Sequence, residues 1–280
     1  MKVAKSALAA PYLAARLVRT MTTAPSAPDF SDQLLDLLAS HTSVRAFTEK
    51  PLDDALVRRA VGAAQMASTS SHVQAYSLIR VRSASNRAEL AELCGGQEQV
   101  QSAGGFFVVC GEVRRHALAA ERAGENMARN LESFLLTVID ASLFAEKLCV
   151  AFEGLGQGIC YIGGLRTRLA EVDRLLDIPE HVYPLFGLCV GEPEPLDSDD
   201  PRKPVPKPRL PLEAVLFDDR YPSDAAMLRL MDEHDAKMEA HYSERGRPGH
   251  NWTGGLVRRM AKPLREELAA YYQSKGARLE

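Results

Sequence analysis

Residues 125–164 read ENMARNLESFLLTVIDASLFAEKLCVAFEGLGQGICYIGG, and this stretch decides the fold. Apolar side chains recur every three or four residues from Leu131 to Phe152, which predicts a helix over Glu125–Glu153 that Gly154 ends. Further apolar residues fill the other faces, so the pattern indicates a buried central helix. The apolar run Ile159–Ile162 that follows the glycines predicts a strand.

Strands and helices alternate through the rest of the chain. Apolar and β-branched runs predict three more strands, at Tyr76–Val81, Phe106–Cys110 and Leu185–Val190. Helical spacing predicts a helix capped by Ser31 and Asp32, a helix that starts at Asp53, and helices over Asn86–Leu93, Arg166–Leu176, Asp224–Glu244 and Leu256–Lys275. The proline-rich stretch Pro193–Pro211 predicts an extended connector. Because the later helices lack paired strands, the pattern favours an α+β fold of one sheet packed by helices.

The composition is typical of a globular protein. The 280 residues are 46% hydrophobic and 25% charged, so the chain can bury a core without disulfides or metals. A net charge of −3 gives no general attraction to nucleic acid or to an anionic membrane, and we expect neither as a partner. The cysteines form no CxxC pair and are expected to be reduced core residues of a cytoplasmic protein: Cys94, Cys110, Cys149, Cys160 and Cys189.

The first thirty residues differ from the rest of the chain. Basic residues occur from Lys2 to Arg19, no acid precedes Asp29, and Pro11 interrupts the apolar run. The segment is therefore too charged for a signal peptide and too short to span a bilayer. We expect residues 1–30 to be a disordered or dispensable extension, with an organellar or surface-binding amphipathic segment as the alternative.

Several common catalytic motifs are missing from the sequence. It has no GxSxG elbow, no GxxxxGK[ST] phosphate loop and no HExxH zinc motif. Gly154–Ile159 has part of the spacing of a dinucleotide fingerprint, but it lacks the third glycine and follows a helix instead of a strand. Anion-binding groups are therefore the remaining candidates for chemistry.

Two clusters of cations and hydroxyls could hold an anion. His41, Ser43 and Arg45 follow the first helix, and an arginine can bind a phosphate through two hydrogen bonds at once. Lys207 and Arg209 alternate with prolines that keep the chain extended. From spacing alone, a solvated turn and a solvated linker are the simpler interpretations of the two clusters.

Three segments of small residues allow a similar choice. Ser68–Ser71 and Gly95–Gln97 follow helices, where hydroxyls and glycines commonly end a helix. Gly163 and Gly164 follow a strand and would let the backbone approach a flat ligand closely. Each segment alone is a weak indication of function.

Taken in order along the chain, these segments resemble one known family. His41–Phe47 (HTSVRAF) resembles the H-R-S-[IV]-R-x-[FY] opening of the nitroreductase superfamily. Further segments follow in the order of its group A branch, the oxygen-insensitive NADPH nitroreductases and NADPH–flavin oxidoreductases: Ser68–Ser71 with Gln74, Gly95–Gln97, Tyr161–Leu165, Pro184–Leu188 and Lys207–Pro211. The resemblance extends from about Leu34 to the last residue.

The resemblance implies an α+β nitroreductase-like sandwich in which helices pack a central, mostly antiparallel sheet. It implies a single FMN-binding domain over residues 31–280, with a C-terminal helical excursion over about residues 222–275. It also implies an intertwined homodimer with the FMN sites at the subunit interface.

By motif match, the resemblance assigns cofactor-binding roles to individual residues. The phosphate and ribityl chain of FMN would contact His41, Thr42, Ser43, Arg45, Lys207 and Arg209. The flavin ring would contact Thr69, Gln97, Tyr161, Ile162, Gly163 and Gly164. NADPH would contact Arg245 and Arg247, with Arg245 meeting the 2′-phosphate.

The sequence departs from the family pattern at three places. Thr42 stands where the family usually has arginine, and Thr69 stands where serine is common. The loop after the helix Asp224–Glu244 is shorter, and Arg247 or His250 replaces the usual second arginine. We expect FMN binding to survive because the other phosphate ligands remain, whereas the preference for NADPH over NADH then depends mainly on Arg245.

Three functions fit the resemblance. The first is an enzyme that reduces nitroaromatics and quinones with NADPH in two-electron steps through bound FMN, with ping-pong kinetics and no catalytic side chain. The second is a flavin reductase that supplies reduced FMN to a partner monooxygenase. The third is a non-catalytic FMN-binding protein, which the basic loop at Arg245 disfavours because such a protein has no use for a nicotinamide site.

Overall fold

Four strands form one sheet in the computed structural model, which describes residues 29–280 of the chain. The strands are β1 (Tyr76–Val81), β2 (Gly105–Glu112), β3 (Gly158–Ile162) and β4 (Val182–Gly191). Their order across the sheet is β1-β2-β4-β3, and every neighbouring pair is antiparallel. The predicted α+β class and antiparallel sheet are confirmed, and β3 forms one edge of the sheet.

Helices precede, connect and follow the four strands along the chain. Within the described residues they are α1 (Phe30–Ala39), α2 (Asp54–Ala64), α3 (Ala84–Leu93), α4 (Gln99–Ser102), α5 (Arg114–Arg122), α6 (Leu131–Gly154), α7 (Leu169–Leu176), α8 (Asp224–Ser243), α9 (Trp252–Met260) and α10 (Leu268–Ser274). Short 3-10 turns occupy Ser70–His72, Gly163–Thr167 and Leu212–Ala214.

The central helix, α6, packs against the sheet and against α2. A capping box fixes its start: the Asn130 side chain accepts a hydrogen bond from the Ser133 N–H at 2.9 Å, and Ser133 Oγ accepts one from the Asn130 N–H at 3.1 Å. The helix therefore begins at Leu131, and the predicted start at Glu125 is wrong. The predicted end at Gly154 is confirmed.

One face of α6 is not buried within the chain. Its side chains recur every four residues and are 40–55% exposed: Leu131, Leu135, Ile139 and Leu143, which we call the α6 stripe. The opposite face is buried in the core and includes Phe144, Leu148 and Phe152. The prediction that α6 is buried all round is thus wrong for a single chain.

The start of the first helix also differs from the prediction. α1 begins at Phe30, so Asp29 occupies the N-cap position and the predicted caps Ser31 and Asp32 lie inside the helix. The predicted disordered or dispensable segment, residues 1–30, lies outside the described residues except for its last two. The segment therefore stays a prediction.

The C-terminal helices are shorter than the sequence pattern suggests. The predicted helix Leu256–Lys275 is two helices, α9 and α10, because Pro263 and the left-handed backbone of Arg265 (φ +57°) separate them.

Two helices earlier in the chain also differ from the predictions. The predicted helix Arg166–Leu176 starts as a 3-10 turn and becomes α-helical only at Leu169. Helix α5 has no counterpart among the predictions, and none of its residues is buried.

The chain leaves the sheet after β4 and returns to it near its C-terminal end. Hydrogen bonds anchor the return: the Tyr272 hydroxyl donates to the Pro184 carbonyl at 2.8 Å, and the His181 N–H donates to the Lys275 carbonyl at 2.9 Å. The buried Lys275 ammonium also lies 2.9 Å from the Asp173 carboxylate. Residues 192–271, which we call the outer segment, thus run from the end of β4 to these anchoring contacts and are attached to the core at both ends.

The five cysteines are buried and unpaired. Burial raises the pKa of the Cys94 and Cys149 thiols to about 12 and shifts the other three in the same direction. Thiols that stay protonated at neutral pH are poor nucleophiles and poor metal ligands. Their placement agrees with the prediction that they are core residues.

No helix between residues 29 and 280 is long and apolar enough to cross a bilayer. The same part of the chain contains no group of three or more His, Cys, Asp or Glu side chains arranged to hold a metal ion.

Candidate functional site

A cavity of about 830 Å³ opens between residues 41–47, helix α4, the proline-rich connector and the end of α8. We call it the cationic cavity. Eight of the predicted site residues line it: His41, Thr42, Ser43, Arg45, Lys207, Arg209, Arg245 and Arg247. The structure thus brings together the two predicted anion-binding clusters and the basic loop after α8, which lie far apart in the sequence.

Backbone pairing holds residues 41–47 against the edge of the sheet. The Val44 N–H donates to the Ile159 carbonyl of β3 at 2.9 Å, in a parallel bridge between Ser43 and Ile159. Gly158 makes this approach possible, because a Cβ atom there would lie 2.7 Å from Val44 Cγ2. The side chains on either side of Val44 are therefore held in fixed positions at the cavity wall.

His41 is oriented by a carboxylate from α6. Its Nδ1 atom lies 2.6 Å from Glu153 Oε1, and both side chains are partly buried. A carboxylate accepts a hydrogen bond and does not donate one, so this contact places a proton on Nδ1 and leaves Nε2 for another partner. The pair joins the end of the central helix to the start of the anion-binding segment.

The charge in the cavity is strongly unbalanced. Two carboxylates, Glu98 and Glu194, face seven lysine and arginine side chains: Arg45, Arg202, Lys203, Lys207, Arg209, Arg245 and Arg247. Among these cations Arg202 is neutralised, since it lies 3.0 Å from Glu194 and 2.8 Å from Asp200. Within residues 29–280, the other six form no salt bridge. Such a set of unpaired cations favours an anionic ligand.

A second group of predicted residues lies together near the turn after α3. A Cβ atom on Gly164 would overlap the Cys94 carbonyl oxygen and the Gln97 side-chain amide, so only glycine fits there. The Gln97 amide donates to the Cys94 carbonyl at 2.8 Å. Glu98 and Gln99, which follow directly, line the cationic cavity. Gln97, Gly163 and Gly164 therefore lie next to the cavity, although they do not line it.

Two predicted ring contacts are less accessible. Ile162 is fully buried in the core, so its side chain is not available to a ligand in this arrangement. The Tyr161 hydroxyl lies 3.3 Å from Glu146, and its ring packs edge-on against Phe186 with centroids 5.3 Å apart. Tyr161, Gly163 and Gly164 are all partly exposed, so this region still offers the backbone of the two glycines to a ligand.

Comparison with known proteins identifies the family. The model of the nitroreductase family matches residues 38–192, and the model of the nitroreductase family, C-terminal domain, matches residues 207–280. This chain belongs to the nitroreductase family. The predicted family and fold are confirmed.

Relatives within the nitroreductase family cover most of the chain. The chain is 38% identical over 248 residues to the FMN reductase (NADPH) of Bacillus subtilis, covering 86% of this chain and 97% of the relative. It is 35% identical over 245 residues to the oxygen-insensitive NADPH nitroreductase of Salmonella typhimurium, with the same coverage. The solved structure of the NfrA1 nitroreductase from B. subtilis superposes with a TM-score of 0.83 and 37% identity, covering 88% of this chain and all of that one.

The cationic cavity fits the FMN phosphate expected of a nitroreductase-family protein. A phosphate monoester carries close to two negative charges at neutral pH and accepts several hydrogen bonds. Arg45, Lys207 and Arg209 supply unpaired positive charge, while Thr42 and Ser43 supply hydroxyls at the same wall. The donor set therefore suits a phosphate and the polyol chain attached to it.

Thr69 does not lie in the cationic cavity of its own chain. It precedes the 3-10 turn Ser70–His72, where its Oγ1 accepts a weak hydrogen bond from the Gln74 N–H at 3.4 Å. Asp140 of α6, which is 1% exposed, fixes this turn by accepting hydrogen bonds from the N–H groups of Ser70 at 3.1 Å and Ala75 at 3.0 Å. Left-handed backbone at Ser71, His72 and Gln74 shows how tightly the turn is folded.

Sequence reasoning missed four residues that shape this nitroreductase-family site. Glu153 and Asp140 are the acids that hold His41 and the Ser70 turn, and His241 and Tyr242 line the cationic cavity at the end of α8. A carboxylate in an otherwise apolar helix was the available signal for both acids, since it must find a partner when buried.

Proposed function

We propose that this chain is an FMN-dependent oxidoreductase that uses NADPH to reduce small acceptors. One observation carries the proposal: the predicted FMN-phosphate residues and the predicted NADPH residues line the same cavity. A binding module without turnover would need the first set and would have no use for the second.

His41, Thr42, Ser43, Arg45, Lys207 and Arg209 would hold the phosphate and ribityl chain. The fixed backbone of residues 41–47 places the first four, and the prolines flanking Lys207 keep the connector extended. Glu153 holds the His41 ring in place at the cavity wall. FMN, when bound, supplies the ability to accept a hydride and to pass on two electrons.

The flavin ring would lie against Gly163 and Gly164, next to Gln97. Glycine at these positions leaves the backbone N–H and carbonyl groups open to a flat ligand. The fully buried Ile162 supports these glycines from the core, and Tyr161 borders them. No nucleophilic side chain is needed, because these residues only bind and orient.

Arg245 and Arg247 would bind the 2′-phosphate that distinguishes NADPH from NADH. Both follow α8, line the cationic cavity and lack a salt bridge within the described residues. NADPH and the acceptor would use the same open site in turn, so we expect ping-pong kinetics. Nitroaromatics and quinones are the expected acceptors.

A homodimer is part of the proposal. The α6 stripe and the apolar side chains Leu34, Leu35 and Leu38 of α1 are exposed in a single chain, and α1 contacts α6. Exposed apolar side chains grouped in this way are typical of a surface that a partner covers. A partner seated there would cover the stripe, and the position of Thr69 outside its own cavity supports a role for it at the partner's flavin.

A flavin reductase that releases reduced FMN is the second candidate. The related B. subtilis protein, FMN reductase (NADPH), favours it. The two candidates share every residue role above and differ in how long the cofactor stays bound.

An anaerobic absorbance experiment tests the proposal. The purified protein should show a flavin spectrum that bleaches on addition of NADPH and recovers with a nitroaromatic or a quinone. Oxidation of one NADPH for each free FMN added, accompanied by loss of flavin on dialysis, would favour the flavin reductase. A colourless protein that does not take up FMN would contradict both candidates.

A further inference from the structure

The ring of Tyr242 lies at the centre of a cluster of basic side chains. The Lys207 ammonium and the Arg247 guanidinium each lie 5.9 Å from its centroid. The rings of His241 and His250 lie 5.6 Å and 5.9 Å from it, measured between centroids. Tyr242 therefore connects Lys207, a predicted FMN-phosphate ligand, with Arg247, a predicted NADPH ligand.

His241 faces the cavity within this cluster. It lies in the last turn of α8, is partly buried and lines the cationic cavity together with Tyr242 and Arg245. The charged groups that act on it are Arg245 and Glu244 from the end of its own helix and Lys207 from the connector. Two cations therefore oppose one carboxylate at this imidazole.

This environment favours the neutral imidazole while no anion is present. Burial lowers the pKa of His241, Arg245 and Lys207 lower it further, and Glu244 offsets part of the shift. In the FMN-loaded protein the cofactor phosphate would offset Lys207, which leaves Arg245 as the main cation acting on His241. An anion that binds at Arg245 would reverse the local field, because a negative charge beside an imidazole stabilises its protonated form. Binding of an anion would then be coupled to uptake of a proton.

We propose that His241 takes up a proton when the 2′-phosphate of NADPH enters the cavity and donates a hydrogen bond to it, so that the preference for NADPH over NADH depends on pH. The inference rests on the proposed function, since it places NADPH at Arg245. It adds His241 and a proton to the NADPH site. Arginine side chains stay charged at all relevant pH values, so Arg245 and Arg247 alone would not make the coenzyme preference depend on pH.

The direction of the pH effect follows from linkage. In this inference the pKa of His241 is higher in the NADP⁺ complex than in the free protein. The contribution of His241 to NADP⁺ affinity is therefore fully present below the pKa that His241 has in the free protein. It is lost as pH rises through the pKa of the complex. The contribution of His241 to discrimination against NAD⁺ should therefore be largest in mildly acidic buffer and absent in alkaline buffer.

Calorimetric titration of the FMN-loaded protein with NADP⁺ and with NAD⁺ tests the inference. Titrations near neutral pH in two buffers of different ionisation enthalpy give the number of protons taken up on binding. His241→Gln removes the titrating group and keeps a polar side chain, while His116→Gln is the matched control, because His116 lies on α5 and does not line the cavity. The 2′-phosphate itself titrates at about pH 6. The difference in proton uptake between wild type and His241→Gln therefore isolates the imidazole.

The expected result is a proton uptake with NADP⁺ that His241→Gln lowers and His116→Gln leaves unchanged. The ratio of the NAD⁺ and NADP⁺ dissociation constants should fall about tenfold in His241→Gln at about pH 6 and stay unchanged at about pH 9. Equal uptake in wild type and His241→Gln, or a loss in His116→Gln alone, would overturn the inference while leaving the proposed function in place. Failure of NADP⁺ to bind the FMN-loaded wild type would overturn both. Flavin content and circular dichroism of each variant show whether it has folded.

Discussion

Nδ1 of His41 lies 2.6 Å from Oε1 of Glu153, which links the anion-binding segment to the last turn of α6. The two residues are 112 positions apart in the sequence, so the contact depends on the whole fold. It gives the last turn of α6 a direct effect on the orientation of the His41 ring.

Glu153→Ala should weaken FMN binding about three- to tenfold, because the His41 ring loses the acceptor that orients it. Fluorescence titration of the apoprotein measures the dissociation constant, with riboflavin as the phosphate-free control. Glu153→Gln, which keeps an acceptor oxygen, should recover part of the affinity. Equal losses for FMN and riboflavin would show that Glu153 supports the fold and does not act through the phosphate.

Arg45→Ala should lower FMN affinity by about one to two orders of magnitude, since a charge-assisted hydrogen bond contributes about 1.5–3 kcal/mol. The measurement is the flavin-to-protein absorbance ratio after dialysis. Arg58→Ala, which removes an exposed arginine of α2 outside the cavity, is the matched control. Unchanged flavin content in Arg45→Ala would remove this residue from the phosphate site.

Arg245→Ala should raise KM for NADPH far more than KM for NADH, because only NADPH carries the 2′-phosphate. Steady-state kinetics with one acceptor and both coenzymes measure the two values. Arg229→Ala, at an exposed position on α8, should change neither. A parallel rise for both coenzymes would mean that Arg245 contacts a part that they share.

Ile139→Glu should convert a dimer into monomers, because it places a charge in the middle of the α6 stripe. Light scattering on a sizing column gives the mass, and flavin content shows whether the site needs the partner. Leu118→Glu changes an equally exposed leucine on α5 and should leave the mass unchanged. A wild-type protein that is monomeric and still retains FMN would contradict the proposed dimer.

Asp140→Ala should lower the free energy of unfolding by about 1–3 kcal/mol, because the N–H groups of Ser70 and Ala75 lose their acceptor. Urea unfolding followed by circular dichroism measures the change. Asp140→Asn keeps one acceptor oxygen and should lose less. If Asp140→Ala unfolded at the same urea concentration as wild type, solvent would have to be satisfying the freed amides.

Local patterns predicted the elements that depend on local physics. Tyr76–Val81 matches β1 residue for residue, and the apolar run Phe106–Cys110 lies inside β2, whose residues are all buried. The start of α6 was missed because its capping box uses Asn130 and Ser133, a weaker signal than the apolar spacing around it. The α6 stripe has the same apolar pattern as a core face, so sequence alone does not distinguish burial within a chain from burial between chains.

The sequence predicted which residues belong to the candidate site, but it did not predict their positions relative to one another. Motif order named the cavity residues from His41 to Arg247, and the structure places eight of them around one cavity. It gave no indication of Glu153, Asp140 or Tyr242, whose roles come from contacts between distant parts of the chain. Thr69 shows the opposite case: the motif names it, while the single chain leaves it outside the cavity.

The outer segment is attached to the core at both ends, so changes at its attachments and changes in the rest of it have different consequences. Its attachments at Tyr272 and Lys275 belong to the core, whereas residues 245–247 form only a wall of the cavity. Doubling the length of a flexible loop costs only about 0.6 kcal/mol in closure entropy. Insertions and deletions after α8 should therefore carry little penalty to the sheet, and under the proposed role of Arg245 they would change coenzyme choice while the scaffold stays the same.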